Sequence, residues 1–249
     1  MPLLDGKIAL VTGASSGIGR AIALLFAEHG AALVLTARRE AQLQALAEQI
    51  RATGARAHVV AGDIALPETH DRLIAEARRV YGGLDIAINN AGMVGPIQPL
   101  AEIAPEDWQQ VLVTNLTSAY LGARRQIPAL LARGGGALVF TSSFVGTSAG
   151  LPGMSAYGAA KAGLIGLVKG ITADYAAQGI RANALLPGGT LTDLAGDAAQ
   201  QDWAAGLHAM KRLAQPAEIA AAALFLASPM ASFVAGTALF ADGGNAAVK

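Results

Sequence analysis

The chain has 249 residues, long enough for one sizeable hydrophobic core, and 53% of them are apolar while only 14% are charged. Its 18 basic and 18 acidic side chains cancel to a formal net charge of zero, with no long run of either sign, so it lacks the electrostatic footprint of a nucleic-acid or anionic-membrane binder. With no cysteine, disulfides, thiolate metal sites and cysteine nucleophiles are excluded, and no metal site is expected.

The N-terminal MPLLDGKIALVTG goes straight into a strand pattern without the apolar h-region of a signal peptide. Ile219–Ala227, an apolar segment late in the chain, is far too short for a membrane span, and a cytoplasmic protein is expected. An interior of Ala, Val, Ile and Leu suits a parallel sheet covered by helices on both faces. No linker composition divides the chain, so residues 1–249 read as one domain.

Lys7–Thr12 (KIALVT) reads as a strand and Arg20–His29 as a helix, with Gly13-Ala14-Ser15-Ser16-Gly17-Ile18-Gly19 between them. Strand, glycine loop and helix make the layout of a dinucleotide site. Gly13 lets the chain turn, Gly17 lets backbone approach a pyrophosphate, and Gly19 lets the helix pack closely on the strand with its positive end toward the phosphates. The spacing is G-x-x-x-G-x-G, and a glycine turn before an unrelated helix would look similar. The hydroxyls of Thr12, Ser15 and Ser16 are expected to add donors to the same site.

Ala31–Thr36 is the second strand, and its end is where the adenosine ribose should lie. An NAD site usually presents a carboxylate there; Ala37 cannot, and Arg38 can pair with a 2′-phosphate. NADP(H) is therefore the preferred cofactor, NAD(H) remaining possible. Arg38 and Arg39 read alternatively as solvated residues opening the helix Glu40–Ala52. Ser16 is neutral, so the glycine loop offers no second cation for the phosphate.

Arg56–Ala61 makes a third strand that closes on Gly62-Asp63-Ile64, where Asp63 either accepts from an adenine amino group or caps a turn. The helix Pro67–Val80 and the strand Leu84–Ile88 follow, running into Asn89-Asn90-Ala91-Gly92, which can fix loop backbone against a cofactor or merely turn the chain. One long helix is expected over Pro105–Ala132, with Asn115 inside it. Ala137–Phe140 is the fifth strand, with Ser143 just beyond its end. Tyr157 and Lys161, four apart on an Ala- and Gly-rich helix running to about Gln178, share one face. This trio suits proton transfer to or from a carbonyl or alcohol oxygen, and a nearby ammonium should lower the phenol from its ordinary pKa of about 10. A Tyr/Lys pair at that spacing also occurs by chance on many helices. Ile180–Leu186 is the sixth strand, and Pro187-Gly188-Gly189-Thr190-Leu191-Thr192 follows it. Residues 191–214, above all the polar run Asp193–Gly206, read as a flexible lid or as an ordinary surface loop. A helix from Pro216 to about Ser228 and a last strand, Thr237–Ala241, complete the chain.

As a set, TGASSGIG at Thr12–Gly19, Asp63, NNAG at Asn89–Gly92, Asn115, Ser143 and YGAAK at Tyr157–Lys161, in this order and at these separations, resemble the short-chain dehydrogenase/reductase family. The resemblance extends over essentially the whole chain, through Pro187-Gly188 and Asp242-Gly243-Gly244. It implies an α/β, single-domain Rossmann fold: a doubly wound seven-stranded parallel sheet in the order 3-2-1-4-5-6-7 with helices on both faces. It also implies hydride transfer between a nicotinamide and a carbonyl or alcohol. Ser143 then hydrogen-bonds the substrate oxygen, Tyr157 is the acid or base, Lys161 supports the phenolate and touches the nicotinamide ribose, and Asn115 helps hold a water leading from the lysine to solvent. The stretch from Ser143 to Tyr157 looks about one residue longer than in many members, which leaves Ser142 as a competitor.

The cofactor-binding set becomes Gly13, Ser15, Ser16, Gly17, Ile18, Gly19, Arg38, Arg39, Asp63, Ile64, Asn90, Ala91, Gly92, Tyr157, Lys161, Pro187, Gly188, Thr190 and Thr192. Thr192 matches the carboxamide contact better than Thr190. Val94, Phe144, Val145, Leu151, Met154 and Leu207 are expected around the substrate. Met93–Pro96, Phe144–Met154 and Leu191–Leu207 contain no Lys or Arg to clamp an anion, so the substrate should be an uncharged, moderately hydrophobic ketone or secondary alcohol. A 3-oxoacyl-thioester (acyl-carrier-protein) reductase is the alternative enzyme. Such reductases often carry a basic cluster where this chain has only Arg133. A non-catalytic NAD(P)-binding regulator is the alternative of another class, and the family leads one to expect a homotetramer.

Overall fold

β1 (Ile8–Thr12) and β2 (Ala32–Thr36) read IALVT and ALVLT with every residue buried, as strands covered on both faces require. The computed structural model, which describes residues 2–193 and 195–248, adds β3 (Ala57–Val59), β4 (Ile86–Asn89), β5 (Gly136–Thr141), β6 (Ile180–Pro187) and β7 (Ala238–Ala241). All pair in parallel in the order β3-β2-β1-β4-β5-β6-β7. Alternation splits each strand between two cores. Ala9 and Val11 face one core, with residues of α1 (Gly17–Glu28), α2 (Glu40–Ala52) and the last long helix. Ile8 and Leu10 face the other, with α3 (Pro67–Tyr81). Each fully buried Leu or Val contributes roughly 1.5–3 kcal/mol, so reversing this alternation by a one-residue slip would be prohibitive.

The expected helix over Pro105–Ala132 is interrupted. α4 (Pro105–Leu112) passes through a π-helical turn, Val113–Thr117, into α5 (Ser118–Leu131). The wide turn surrounds Asn115, whose side chain is drawn inward to backbone outside the helix, and π-bulges of this kind frequently mark functional sites. α6 (Ser155–Tyr175) carries Tyr157 and Lys161. The flexible run expected over Asp193–Gly206 contains a further helix, α7 (Ala198–Gly206). Its cause is local: Asp197 accepts from the Gln200 N–H while the Gln200 side chain accepts from the Asp197 N–H, a reciprocal cap. α8 (Pro216–Ala227) packs beside α1. Among the described residues, no helix is long and apolar enough to cross a membrane, and no cluster of three or more His, Asp or Glu could hold a metal. Because all strands are parallel, the loops after β1 to β7 gather at one edge of the sheet, where ligands of such folds bind.

Candidate active site

The cleft begins at the loop between β1 and α1. Gly13 and Gly17 have φ of +67° and +53°, a region that disfavours side chains. Gly19 is excluded from substitution by space instead: a Cβ there would lie 2.3 Å from the Gly13 carbonyl oxygen and 2.6 Å from Asn90 Nδ2. Ser16 caps α1 without a side-chain hydrogen bond, so the first-turn N–H groups are left for an anion such as a pyrophosphate.

Thr12 is not a further donor to that site. Its Oγ1 accepts from the N–H groups of Asn90 (2.9 Å) and Ala91 (3.0 Å) and ties β1 to the loop after β4. Asn90 continues the seam, donating from Nδ2 to the Thr12 carbonyl (3.1 Å) and accepting from Thr141 Oγ1 (3.2 Å). Asn89 turns away and pairs reciprocally with Gln126 at 2.9 and 3.0 Å. Only the second asparagine of the NNAG motif therefore serves the cleft.

At the end of β2 the two arginines divide. Arg38 is exposed, with no polar partner among the described residues. Arg39 reaches back over the glycine loop, donating to Ser16 Oγ (2.6 Å) and Ser15 Oγ (3.1 Å), with its Nη1 4.0 Å from Asp193. The glycine loop itself carries no cation, and the one beside it, Arg39, comes from the start of α2. Asp63 closes a turn by accepting from the Ala65 N–H (2.9 Å), and the next carbonyl, of Ile64, is held by His70 Nε2 at 2.7 Å. His70 is a support no sequence motif announces.

Beyond β5 the two serines separate in role. Ser142 Oγ donates to the Lys161 carbonyl at 2.7 Å and is spent on the backbone of α6. Ser143 Oγ accepts from the Val145 N–H at 3.1 Å and lies near enough to the Tyr157 phenol to pull its pKa down. Lys161 is only 4% exposed; its Nζ donates to the Thr141 carbonyl (2.7 Å) and stands 5.6 Å from the centroid of the Tyr157 ring. Burial pulls the Lys161 ammonium down to about 8. Burial also pushes the Tyr157 phenol up, against the smaller downward pull of Ser143. The expected lowering by lysine is overturned: the ammonium lies over the ring and points to a carbonyl, so desolvation of the phenolate wins.

Asn115 uses its amide fully as a donor, to the carbonyls of Met93 (2.8 Å) and Val111 (3.0 Å), and accepts from the Met93 N–H (3.1 Å). It thereby fixes Gly92, where a Cβ would fall 2.6 Å from Asn115 Oδ1 and 3.2 Å from Lys161 Nζ. A cavity of ≈ 10 Å³ adjoins, lined in part by Thr12, His70, Asn115, Ser118 and Thr141. It is about the size of one water.

Of the residues expected around substrate, Val94, Leu151, Met154 and Leu207 are half-buried, whereas Phe144 and Val145 are buried and act from behind the surface. The Gln98 N–H donates to the Gly153 carbonyl (3.2 Å), drawing the segment after Gly92 against the loop before α6. Thr190 Oγ1 turns back to the Gly188 carbonyl at 3.0 Å. Thr192 lies at the glycine loop, its Cγ2 3.0 Å from where a Cβ on Gly17 would sit. His208, buried against Gly188 and Gly189, is a second residue without a sequence signal.

A family model described as enoyl-(acyl carrier protein) reductase matches residues 13–246. The cyclohexanol dehydrogenase of Acinetobacter sp. (strain SE19) is 37% identical over 96% of this chain and 94% of its own length. A 3-oxoacyl-[acyl-carrier-protein] reductase of Vibrio cholerae is 36% identical over 97% of this chain and 98% of its own. Among solved structures, a 7α-hydroxysteroid dehydrogenase complexed with NADH and 7-oxo glycochenodeoxycholic acid superposes with a TM-score of 0.91 at 32% identity, covering 97% of this chain and 94% of that one.

Proposed function

The chain belongs to the short-chain dehydrogenase/reductase family, and on that premise we propose that it is an NADPH-dependent carbonyl reductase, reversible to a secondary-alcohol dehydrogenase. Family membership makes it an oxidoreductase of CH–OH and C=O groups that binds a nicotinamide dinucleotide. The preference for NADPH rests on Ala37, which offers no carboxylate, and on the two guanidinium groups of Arg38 and Arg39 beside the glycine loop.

The fit to a dinucleotide is steric and electrostatic. Gly13, Gly17 and Gly19 let the loop close on itself, since a Cβ there would strike Ala91, Thr192 or the Gly13 carbonyl, and the start of α1 is left without a side-chain cap. Gly92, Pro187, Gly188, Thr190 and Thr192 complete the proposed binding set toward the nicotinamide. When bound, the cofactor supplies hydride to the carbonyl carbon, or receives it from the alcohol. Ser143 donates a hydrogen bond to the substrate oxygen as negative charge grows there, and Tyr157 delivers the proton. A phenol pushed up by burial is held fully protonated before reaction, as an acid should be. Once the proton leaves, the Lys161 ammonium offsets the phenolate in a site that water screens poorly. Asn115 places the Gly92–Met93 backbone beside that ammonium, and the one-water cavity next to it lies on the route by which Tyr157 is reprotonated.

The observation that carries this reading is Lys161, 4% exposed, with its Nζ 5.6 Å from the centroid of the Tyr157 ring. Replacing Tyr157 with Phe should lower kcat by about 10²–10⁴ while leaving NADPH binding, followed by nicotinamide fluorescence, near normal. Turnover within a few-fold of the parent would sink the assignment.

For the substrate, we favour an uncharged, moderately hydrophobic ketone or alcohol, in keeping with the half-buried Val94, Leu151, Met154 and Leu207. The Vibrio cholerae relative favours a second reading, reduction of a 3-oxoacyl thioester. Against it, Arg133 is engaged with Asp85 (Nε to Oδ1, 3.2 Å) and does not stand free for an acidic carrier. A panel of free ketones against acyl-carrier thioesters, with both cofactors, ranks the two. NADPH binding without turnover of any member would favour a regulator. A cytoplasmic homotetramer completes the proposal; the exposed Met230, Phe233 and Phe240 near the C-terminus suit a subunit contact.

A further inference from the structure

His208 follows α7 by two residues and is 2% exposed. Its ring stands edge-on to Phe144, the neighbour of Ser143, with centroids 5.8 Å apart and planes at 73°. Three glycines close around it. A Cβ on Gly188 would lie 2.7 Å from the ring's Cε1, one on Gly189 3.0 Å from Nε2, and one on Gly243 3.4 Å from the histidine's own Cβ. Nε2 accepts the Gly189 N–H at 3.0 Å. The ring's proton then sits on Nδ1, and Nδ1 is buried without a hydrogen-bond partner among the described residues.

Packing alone does not account for a histidine here. A phenylalanine would fill the same space against Phe144 and leave no ring nitrogen unpaired. What it could not do is accept from Gly189, whose half-buried amide would then lose its acceptor. Gly189 is also the point from which the lid hangs. Its carbonyl accepts the Ala214 N–H (2.9 Å), and the Leu191 N–H donates to the Ala214 carbonyl (2.9 Å), so the outgoing and returning arms of the lid meet there. His208 lies on the returning arm, which is further fixed to the loop after β7. Asn245 Nδ2 donates to the Leu207 carbonyl at 2.7 Å, and the Met210 N–H donates to the Gly243 carbonyl at 3.0 Å.

We propose that His208 is a positioning residue for the reaction: its Nε2 holds the Gly189 amide, and with it the Gly188–Thr192 segment and the lid, in register with Phe144 and the adjacent Ser143. This rests on the reading above in one respect, that substrate is received between the lid and Ser143. The residue touches no reacting atom and acts through the segment it holds.

Two variants separate the acceptor from the ring. His208→Phe keeps the bulk and loses the acceptor; His208→Gln restores an acceptor oxygen. Amide hydrogen exchange across residues 188–192 and steady-state kinetics with a free ketone are measured on both. In His208→Phe, protection of these amides should fall about tenfold and KM for the ketone rise about tenfold, the scale of one lost positioning hydrogen bond, with NADPH affinity changed less than threefold. His208→Gln should recover most of both. The proposal is overturned if His208→Phe keeps parental protection and KM, or if Gln is no better than Phe while both lower the melting temperature, which would make the ring simply structural. Should the parent protein reduce no carbonyl, the functional reading fails by itself, and the exchange measurement still decides the role of His208.

Discussion

The glycine loop and the lid meet where Thr192 packs toward Gly17, and they are held in opposite ways. The loop is shaped by backbone and by missing side chains: Gly13, Gly17 and Gly19 touch carbonyls, amides and Asn90, and nearby strand ends are sewn to it through Thr12 and Thr141. The segment proposed as a lid, residues 191–214, contains among its described residues the short capped helix α7, and is hung on the Gly189–Ala214 pairing and pinned by His208 and Asn245. A pyrophosphate is the same in every cofactor and can be met by backbone N–H groups alone, which demand that side chains be absent. A particular substrate has to be met by side chains, and a segment carrying them can be held loosely enough to admit it.

A methyl group placed on each side should break the comparison if it is wrong. Gly19→Ala puts a Cβ 2.3 Å from the Gly13 carbonyl oxygen, which is backbone and cannot swing away. The expected loss is about 3 kcal/mol of stability, the upper end for overpacking, and up to about a hundredfold in NADPH affinity. Gly206→Ala at the end of α7 meets nothing within 4 Å. There the outcome should be neutral or a gain of about 0.5–1 kcal/mol, because alanine restricts the unfolded chain. Denaturant titration of both variants with cofactor binding reads the contrast directly.

The arginines at the end of β2 sharpen the cradle side. Arg38, free of protein partners, should contribute to the 2′-phosphate alone, so Arg38→Ala is expected to weaken NADPH by about 10- to 100-fold and NADH by less than threefold. Arg39 also holds Ser15 and Ser16, and Arg39→Ala should weaken both cofactors. Equal losses for the two cofactors in Arg38→Ala would place the discriminating charge elsewhere.

Between the two walls lies Lys161, and its burial has a pH signature. Its folded pKa of about 8 is below the ordinary lysine value, so between about pH 8 and 10.5 the unfolded chain binds more protons than the folded one. Stability contributed by this group therefore rises with pH across that window, and below it the desolvation cost is present in full. Relative to Lys161→Met, the parent should gain about 2 kcal/mol from pH 7 to pH 9.5 in urea unfolding. A flat difference would mean that the amine is hydrated, contrary to its 4% exposure.

Legibility in the sequence follows the same division. The strands were readable because each is written locally as an apolar run, whereas their order was expected only from the family resemblance. Ser143 was favoured over Ser142 from the S-S-x-x-G spacing, and the packing of α6 on β5 shows what spacing could not, Ser142 bonded to the Lys161 carbonyl. The π-turn at Asn115 was read as plain helix because its cause, Met93, lies 22 residues away. The direction of the Tyr157 shift was misread because spacing gives proximity to an ammonium and says nothing of burial. His70 and His208 carry no motif at all; their partners, Ile64 and Gly189, are backbone groups that any sequence would supply. The cap of α7 was local and overlooked, a D-x-x-Q at Asp197 inside a polar run read as a flexible lid or a surface loop.

That cap provides the mildest test of whether cradle and lid are separate units. Asp197→Ala removes the acceptor for the Gln200 N–H and should cost α7 about 1 kcal/mol. Beyond the contact of Thr192 with Gly17, this part of the lid reaches the cradle through the Arg39–Asp193 pair at 4.0 Å, with side chains 49% and 74% exposed, and such a pair transmits at most about 1 kcal/mol. Loosening α7 should accordingly speed amide exchange within residues 198–206 and raise KM for substrate by less than about threefold, while the NADPH dissociation constant stays unchanged. A tenfold loss of NADPH affinity in Asp197→Ala would show that the lid helix and the glycine loop fold as one body, because neither an exposed ion pair nor a surface cap carries an effect of that size by itself.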